Sequence, residues 1–263
     1  MSDKIFEGQT ILITGAAGGF GKSASGLFAE QGANLVLTDF NEKGLRELAD
    51  DLQSTGVSIA TLVGSVAEED HCRETVELAM KTFGRLDVAI NNAGIGHDPA
   101  KTADIDSKQA DMTLQVDLMG VFYGMKHQIP AMETAYNEHN RSSSILNIAS
   151  LAGLGGAPTL GMYAAAKFGV VGLTKSAALE YARRGIRINA LCPAFARTPM
   201  VEDGLLAAGG GTKEAEDFLT RGVPMRRLAE PEEITRSMLW ICDPRNSFMT
   251  GQAVALDGGT SAM

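Results

Sequence analysis

The sequence is short of the features that most quickly betray a function. Its three cysteines, Cys72, Cys192 and Cys242, are odd in number and far apart, so neither a disulfide framework nor a metal-binding cluster is suggested. Positive charge is scarce: 23 Lys and Arg against 32 Asp and Glu leave a formal net charge of -9 with no run of like sign. A nucleic-acid surface needs a basic patch, and none is visible. No apolar stretch is long enough to span a bilayer, and the N-terminal "MSDKIFEGQT" has no apolar leader segment. Internal repeats, low-complexity linkers and breaks in composition are missing as well. A soluble, reduced, cytoplasmic protein of one domain, binding neither nucleic acid nor membrane, is the simplest reading.

What is present is an ordinary globular composition, 44% hydrophobic and 21% charged over 263 residues. Short apolar, β-branched runs alternate with longer helical patterns. The predicted strands are 10–14, 34–39, 57–63, 86–91, 144–150, 186–192 and 253–257. Near-continuous apolar strands imply burial on both faces, and the alternation implies a parallel sheet with helices on each side. The fold class is therefore α/β, a doubly wound parallel sheet. The segment from Arg197 to Pro224, with glycines at 209–211, lacks a strand signal. It reads either as a substrate-covering lid or as an ordinary surface helix pair.

The stretch "TGAAGGFGKS" (14–23) follows the first strand and opens the first helix. Read backwards from Gly21-Lys22-Ser23 it nearly matches a nucleoside-triphosphate loop, but Ala16 stands where that loop needs its first Gly. Read forwards, Gly15, Gly19 and Gly21 form a turn whose missing side chains let the backbone approach a pyrophosphate at the helix N-terminus. Asp39 ends the next strand, 18 residues beyond Gly21. A carboxylate there can accept both ribose hydroxyls and would repel a 2′-phosphate. Phe40 follows it with no Lys or Arg close by in sequence, so NAD is favoured over NADP. As a lone feature, Asp39 also reads as a turn former or helix cap.

"YAAAK" (163–167) lies inside a helical pattern, where residues four apart share one face. A phenol is a poor base near neutral pH, and an ammonium one turn away favours its phenolate. Taken singly, such a pair is more often a core Tyr with a snorkelling Lys. Ser150, closing the strand that begins at Ser144, adds a hydroxyl at the carboxyl end of a strand, where open α/β sheets bind ligands. Ser, Tyr and Lys without a suitable His or acid partner argue against acyl transfer and fit proton movement coupled to hydride transfer.

Together, "TGAAGGFG" (14–21), Asp39, "NNAG" (91–94), Ser150, "YAAAK" (163–167), "CPAFART" (192–198) and "TGQAVALDGG" (250–259) resemble the short-chain dehydrogenase/reductase family over essentially the whole chain. The resemblance implies a seven-stranded Rossmann-type sheet and interconversion of secondary alcohols and ketones. It implies Tyr163 as general acid/base, Lys167 as the residue that holds the nicotinamide ribose and favours the phenolate, and Ser150 as the group that positions the substrate oxygen. For the cofactor it implies the turn Gly15, Gly19, Phe20 and Gly21, preceded by Ile13, then Asp39, Phe40, Ser65 and Val66. On the far side it implies Asn91, Ala93 and Gly94 lining the groove, and Pro193, Ala196 and Thr198 beside the nicotinamide. No metal is implied.

Three positions depart from the family pattern. Asp117 stands where Asn is usual; its charge either holds Lys167 protonated and alters the pH profile, or is a tolerated variant. Ser65 replaces an Asp that reads adenine, and Ala194 replaces a Gly. His97 is expected to be a solvated loop residue rather than a substrate contact. Met200, Leu205 and Leu206 are expected either in an apolar substrate pocket or in ordinary core. The helix from Tyr163 to Tyr181 is apolar or small on nearly every face, which implies a homo-oligomer, and the resemblance implies a homotetramer. The activity expected is that of an NAD-dependent alcohol dehydrogenase; a 3-oxoacyl-thioester reductase and a catalytically silent dinucleotide sensor are the alternatives.

Overall fold

The computed structural model describes residues 4–206 and 210–262. Seven strands form one parallel sheet: β1 (Thr10–Thr14), β2 (Asn34–Asp39), β3 (Ile59–Val63), β4 (Val88–Asn91), β5 (Ser143–Ile148), β6 (Ile186–Pro193) and β7 (Ala253–Leu256). Their order across the sheet is β3-β2-β1-β4-β5-β6-β7. Helices α1 (Gly19–Glu30), α2 (Glu42–Leu52), α3 (Glu69–Phe83), α4 (Ser107–Leu114), α5 (Gly120–His139), α6 (Gly161–Tyr181), α7 (Lys213–Leu219) and α8 (Pro231–Cys242) fill the connections.

The apolar runs are buried on both faces, as parallel strands require. Ile11 and Ile13 of β1 join Phe28, Leu45, Leu48, Ile234 and Met238 in a core beneath α1, α2 and α8. Leu12 points the other way, into a second core with Val76, Val121, Met125, Ile129 and Val170 beneath α3, α5 and α6. All seven strands fall where the apolar runs predict them. The expected start of β3 at Val57 moves to Ile59, and that of β4 from Leu86 to Val88. β3 has a neighbour on one side only and is half-exposed, so its apolar pattern fades at the margin.

Register explains where a site can form. Ile13 of β1 pairs with Leu37 of β2 and with Ile90 of β4, so the three strands end level. The chain winds from β1 outward to β3, then returns to place β4 on the other side of β1. Loops leave in opposite directions at that reversal and open a crevice at the carboxyl ends of β1 and β4, the place where doubly wound sheets bind ligands.

Between α4 and α5 the helix does not stop. Gln115–Met119 forms one wide π-type turn, after which α5 continues. Such a turn inserts a residue and re-aims a side chain; here it carries Asp117. The segment 197–224 contains no strand among its described residues: a π-type turn at Met200–Leu206, then α7, then a short 3-10 turn at Thr220–Gly222. Val201 and Leu206 pack with Leu228 in a small separate cluster, so Leu206 serves ordinary packing, whereas Met200 is exposed. Gly209 and the Leu205 side chain lie outside the described part. No helix among the described residues is long and apolar enough to cross a membrane. The three cysteines are unpaired and buried.

Candidate active site

The glycine turn is built by contacts that no side chain would tolerate. Gly15 has φ +63°, and a Cβ on it would lie 2.8 Å from the Ala93 Cα. A Cβ on Gly21 would overlap the Gly15 carbonyl, and one on Gly19 would come within 2.9 Å of the Thr198 side chain. Thus the turn, the loop after β4 and the strand-end segment Pro193–Thr198 meet at one point. α1 starts there behind Gly18, with no side-chain cap and no acidic residue in its first turn, unlike α2, α4 and α7, capped by Asn41, Asp106 and Thr212. Its first amides, including that of Phe20, keep their positive end free for an anion. A cradle that any Cβ would fill, facing an uncapped helix N-terminus, fits a pyrophosphate.

The triphosphate-loop reading fails here on its own residues. Lys22 pairs with Asp51 at 3.4 Å on the surface, and the Ser23 hydroxyl meets Thr235 of α8 at 2.9 Å.

Asn92 and Thr14, which sequence reasoning did not assign, hold the turn in shape. The Asn92 amide donates to the Thr14 and Gly15 carbonyls at 2.9 and 3.1 Å. The Thr14 hydroxyl accepts the Asn92 and Ala93 amides at 3.0 Å each. The Asn91 side chain is turned away from the glycine turn. Its side chain donates to Asn147 at 2.8 Å and exchanges hydrogen bonds with Gln128 at 3.1 and 2.8 Å, inside the α5 face. Alternation along β4 is the reason: of two adjacent Asn residues, only one can face the turn.

Asp39 is buried at the end of β2 and is part of the same support. Its Oδ2 accepts the Ala17 amide and its Oδ1 the Asn41 amide, both at 2.9 Å. Each oxygen keeps a further lone pair, so a ribose hydroxyl remains compatible with this arrangement. Phe40 is exposed beside it. After β3, Ser65 accepts the Ala67 amide at 3.2 Å, and Val66 is buried.

Ser150 leaves β5 in an extended conformation, its Oγ accepting the Ala152 amide at 3.1 Å. An acceptor role leaves the hydroxyl proton free for another partner. Tyr163 and Lys167 lie one turn apart on α6, the ammonium 5.4 Å from the ring centroid. The Lys167 side chain is 4% exposed and pairs with the fully buried Asp117 at 3.0 Å. Nζ also donates to the Ile148 carbonyl at 3.1 Å, and Asp117 Oδ1 accepts the Ile95 amide at 2.7 Å. Burial alone would lower the Lys167 pKa, but the Asp117 carboxylate, with Tyr163 adding to it, outweighs that and holds the amine above its ordinary range. The Gly94 Cα passes close by: a Cβ there would lie 3.2 Å from both Lys167 Nζ and Asp117 Oδ2.

At the end of β6, Ala194 donates its amide to the Leu256 carbonyl at 3.1 Å, Ala196 bridges to Ala229, and Thr198 is buried against Gly19. His97 is not solvated; it is 6% exposed. No group of three or more metal-ligating side chains occurs among the described residues.

A family model described as enoyl-(acyl carrier protein) reductase matches residues 15–261. Cyclohexanol dehydrogenase of an Acinetobacter species is 37% identical over 258 residues, covering 98% of this chain and 96% of that one. The crystal structure of levodione reductase superposes with a TM-score of 0.92 at 32% identity, covering 98% and 99%. A 3-ketoacyl-(acyl-carrier-protein) reductase from Brucella melitensis, solved in complex with NADH, gives 0.88 at 30% identity, covering 97% and 99%.

The buried pair makes a prediction about stability. Lys167→Met strands the Asp117 carboxylate and costs about 3–5 kcal/mol of unfolding free energy. The double variant Lys167→Met/Asp117→Leu removes both charges and recovers most of that loss. Denaturant unfolding of the four proteins of this cycle checks it; additive losses would mean the two groups do not interact.

Proposed function

The chain belongs to the short-chain dehydrogenase/reductase family of oxidoreductases, and on that footing we propose that it interconverts a secondary alcohol and a ketone with NAD. What carries the reading is the buried Lys167 ammonium, ion-paired to Asp117 and one helical turn from Tyr163. The dinucleotide, when bound, supplies the hydride acceptor. Gly15, Gly19, Phe20 and Gly21 hold its pyrophosphate, and Asp39 its adenosine ribose, with Phe40, Ser65 and Val66 beside the adenosine. Ala93, Gly94 and the Asn91 main chain border the groove. Pro193, Ala196 and Thr198 flank the nicotinamide end.

In the oxidation direction Ser150 donates its free hydroxyl proton to the alcohol oxygen and fixes it. Tyr163, as phenolate, takes the alcohol proton while the alcohol carbon gives up hydride. Lys167 supports the phenolate electrostatically and binds the nicotinamide ribose. Asp117 keeps Lys167 charged, the part an uncharged Asn could not play. NAD is preferred because the Asp39 carboxylate would repel a 2′-phosphate. The segment 197–224 covers the substrate.

A cyclic secondary alcohol is the favoured substrate class, supported by the cyclohexanol dehydrogenase among the relatives. A 3-oxoacyl-thioester reductase is the second reading, favoured by the matching family model and by the Brucella reductase. That enzyme was solved with NADH, so an NAD-type site does not by itself argue against a thioester substrate. The chain assembles as a homotetramer: Phe168 and Leu179 on α6, with Met112 and Phe122 on α4 and α5, are large apolar side chains left exposed. We place it in the cytoplasm, in keeping with three buried cysteines that are not paired with one another.

Steady-state assays with cyclic alcohols and with a 3-oxoacyl thioester test the reaction. Cyclohexanol with NAD is expected to turn over faster than with NADP, and Tyr163→Phe to lose about 10²–10⁴-fold. A higher kcat/KM on the thioester would favour the second reading, and cofactor binding without any turnover would favour a sensor.

Asp117→Asn is expected to move the alkaline limb of the oxidation pH profile to lower pH. The carboxylate raises Lys167, so without it the amine loses its proton earlier. NAD affinity stays similar, and an unchanged profile would leave Asp117 a tolerated variant. In sedimentation the chain is expected as a tetramer, which Phe168→Glu with Leu179→Glu splits into smaller species; a monomer in the unaltered protein would refute the assembly.

A further inference from the structure

α6 meets the strand that leads to Ser150 through two polar contacts, and only one of them involves the ion pair. The first is the Lys167 ammonium on the Ile148 carbonyl at 3.1 Å. The second lies about two helical turns further along the same buried face of α6. There the Thr174 hydroxyl accepts the Asn147 side-chain amide at 2.9 Å. Asn147 and Ile148 are neighbours at the end of β5, just ahead of Ser150. Thr174 is 1% exposed and Asn147 is wholly buried, so water does not compete for the contact.

That second contact has a fixed polarity. Thr174 donates its hydroxyl proton to the Val170 carbonyl of its own helix at 2.7 Å, and therefore turns an oxygen lone pair toward the sheet. Asn147 must answer with its NH2 group, which leaves its Oδ1 to accept from Asn91 at 2.8 Å. Asn91 in turn exchanges hydrogen bonds with Gln128 of α5. One set of amide orientations thus serves β4, β5, α5 and α6 together. A buried network satisfied in this way selects one arrangement of the elements that carry it.

The other groups that α6 buries in this core include Val170, Val171, Ala177 and Ala178. Burial of such apolar groups is non-directional and sets no particular position along the strand. Lys167 sets it loosely, because its ammonium ends a flexible four-carbon stem that can follow a moving helix. Thr174 is β-branched and stiff by comparison. Ser150 is carried by β5 and Tyr163 by α6, so whatever locks helix to strand also sets the separation of their hydroxyls. A misplacement of about 1 Å at reacting groups costs about 10²-fold in rate.

We infer that Asn147 and Thr174 are positioning residues, a neutral clasp that fixes α6 on β5 and so holds Tyr163 in place relative to Ser150. The inference rests on the dehydrogenase reading above and adds to it two residues too deeply buried to meet substrate. Lys167 supplies the charge, and the Asn147–Thr174 contact supplies the register.

Two substitutions at one position test it. Thr174→Val keeps the side chain's shape and removes the acceptor, whereas Thr174→Ser keeps the acceptor and removes a methyl group. With NAD and an alcohol that the unaltered protein oxidises, kcat per folded molecule is expected to fall about tenfold or more in Thr174→Val. Thr174→Ser is expected to retain most of the rate. The NAD dissociation constant is expected to stay similar in both, because the glycine turn and Asp39 belong to β1 and β2. Crystal structures are expected to show α6 displaced along β5 in Thr174→Val alone. A Thr174→Val enzyme that unfolds at lower denaturant yet keeps its kcat would overturn the inference, since that is a residue serving only the fold. Equal losses of rate in the two variants would overturn it too, because they would trace to volume rather than to the hydrogen bond. If the unaltered protein oxidises no alcohol, the dehydrogenase reading fails separately and the crystal comparison decides: α6 unmoved in Thr174→Val refutes the clasp.

Discussion

A lysine ammonium almost wholly withdrawn from water needs a fixed counter-charge, and the arrangement of this molecule around β4, β5 and α6 follows from meeting that need. Lys167 is answered by Asp117 at 3.0 Å and by the Ile148 carbonyl at 3.1 Å. Asp117 in turn accepts the Ile95 amide. One charge pair thus ties together α6, the end of β5, the loop leaving β4 and the helix formed by α4 and α5. Asp117 occupies the wide turn of that helix, where an inserted residue rotates its side chain inward. Burial of this kind adds little net stability, because both ions must be desolvated. Its contribution is position: the amine cannot leave Tyr163 without stranding a carboxylate in the interior.

The glycine turn is held by a comparable economy of parts. Gly15, Gly19 and Gly21 are required for different reasons: a left-handed backbone against Ala93, room for Thr198, and contact with the Gly15 carbonyl. Asn92 and Asp39 brace the turn from two sides, one from β4 and one from β2, which the level register of β1, β2 and β4 makes possible. The Asp39 carboxylate therefore has a structural duty even before any ribose is considered. Replacing it would loosen the Ala17 amide and the Asn41 amide together.

The sequence was most legible where one physical rule acted alone. Strands buried on both faces are written as continuous apolar runs, so all seven were found, and the margins moved by two residues at most: the starts at Val57 and Leu86, and the end of β5, expected at Ser150 and found at Ile148. Ser150, Tyr163 and Lys167 were visible because each follows a strand end or a helical spacing, whereas Asp117 was visible only as a departure from the family pattern; the structure brings Tyr163, Lys167 and Asp117 into one cluster. The failures occurred where neighbours with the same chemistry compete. Asn91 and Asn92 are identical in type, and only the pleat decides that the second faces the turn. His97 reads as a loop residue, and loops are usually solvated. Nothing local announces that Asp98, Ala100 and Ile95 will all be fastened and will carry the ring inside. The alternation of β4 was available as a signal for the asparagines; for His97 no sequence signal existed.

The buried ion pair and the described part of 197–224 are fastened by different kinds of contact. On the side of Asp117 and Lys167 the fastenings are buried, and a break exposes a charge to low dielectric. On the side of residues 197–224 they are mostly at the surface. Arg197 reaches Glu216 at 2.6 Å and Glu230 at 3.2 Å, with about a third of its side chain exposed, and such pairs are individually weak and screened by salt. The apolar support there is a small cluster around Val201, Leu206 and Leu228, separate from the two cores under the sheet. Moving Lys167, by contrast, would disturb β4, β5 and α6 at once. Sequence change among the described residues of 197–224 can therefore alter that small cluster without reaching the ion pair, while Lys167 and Asp117 stay where they are.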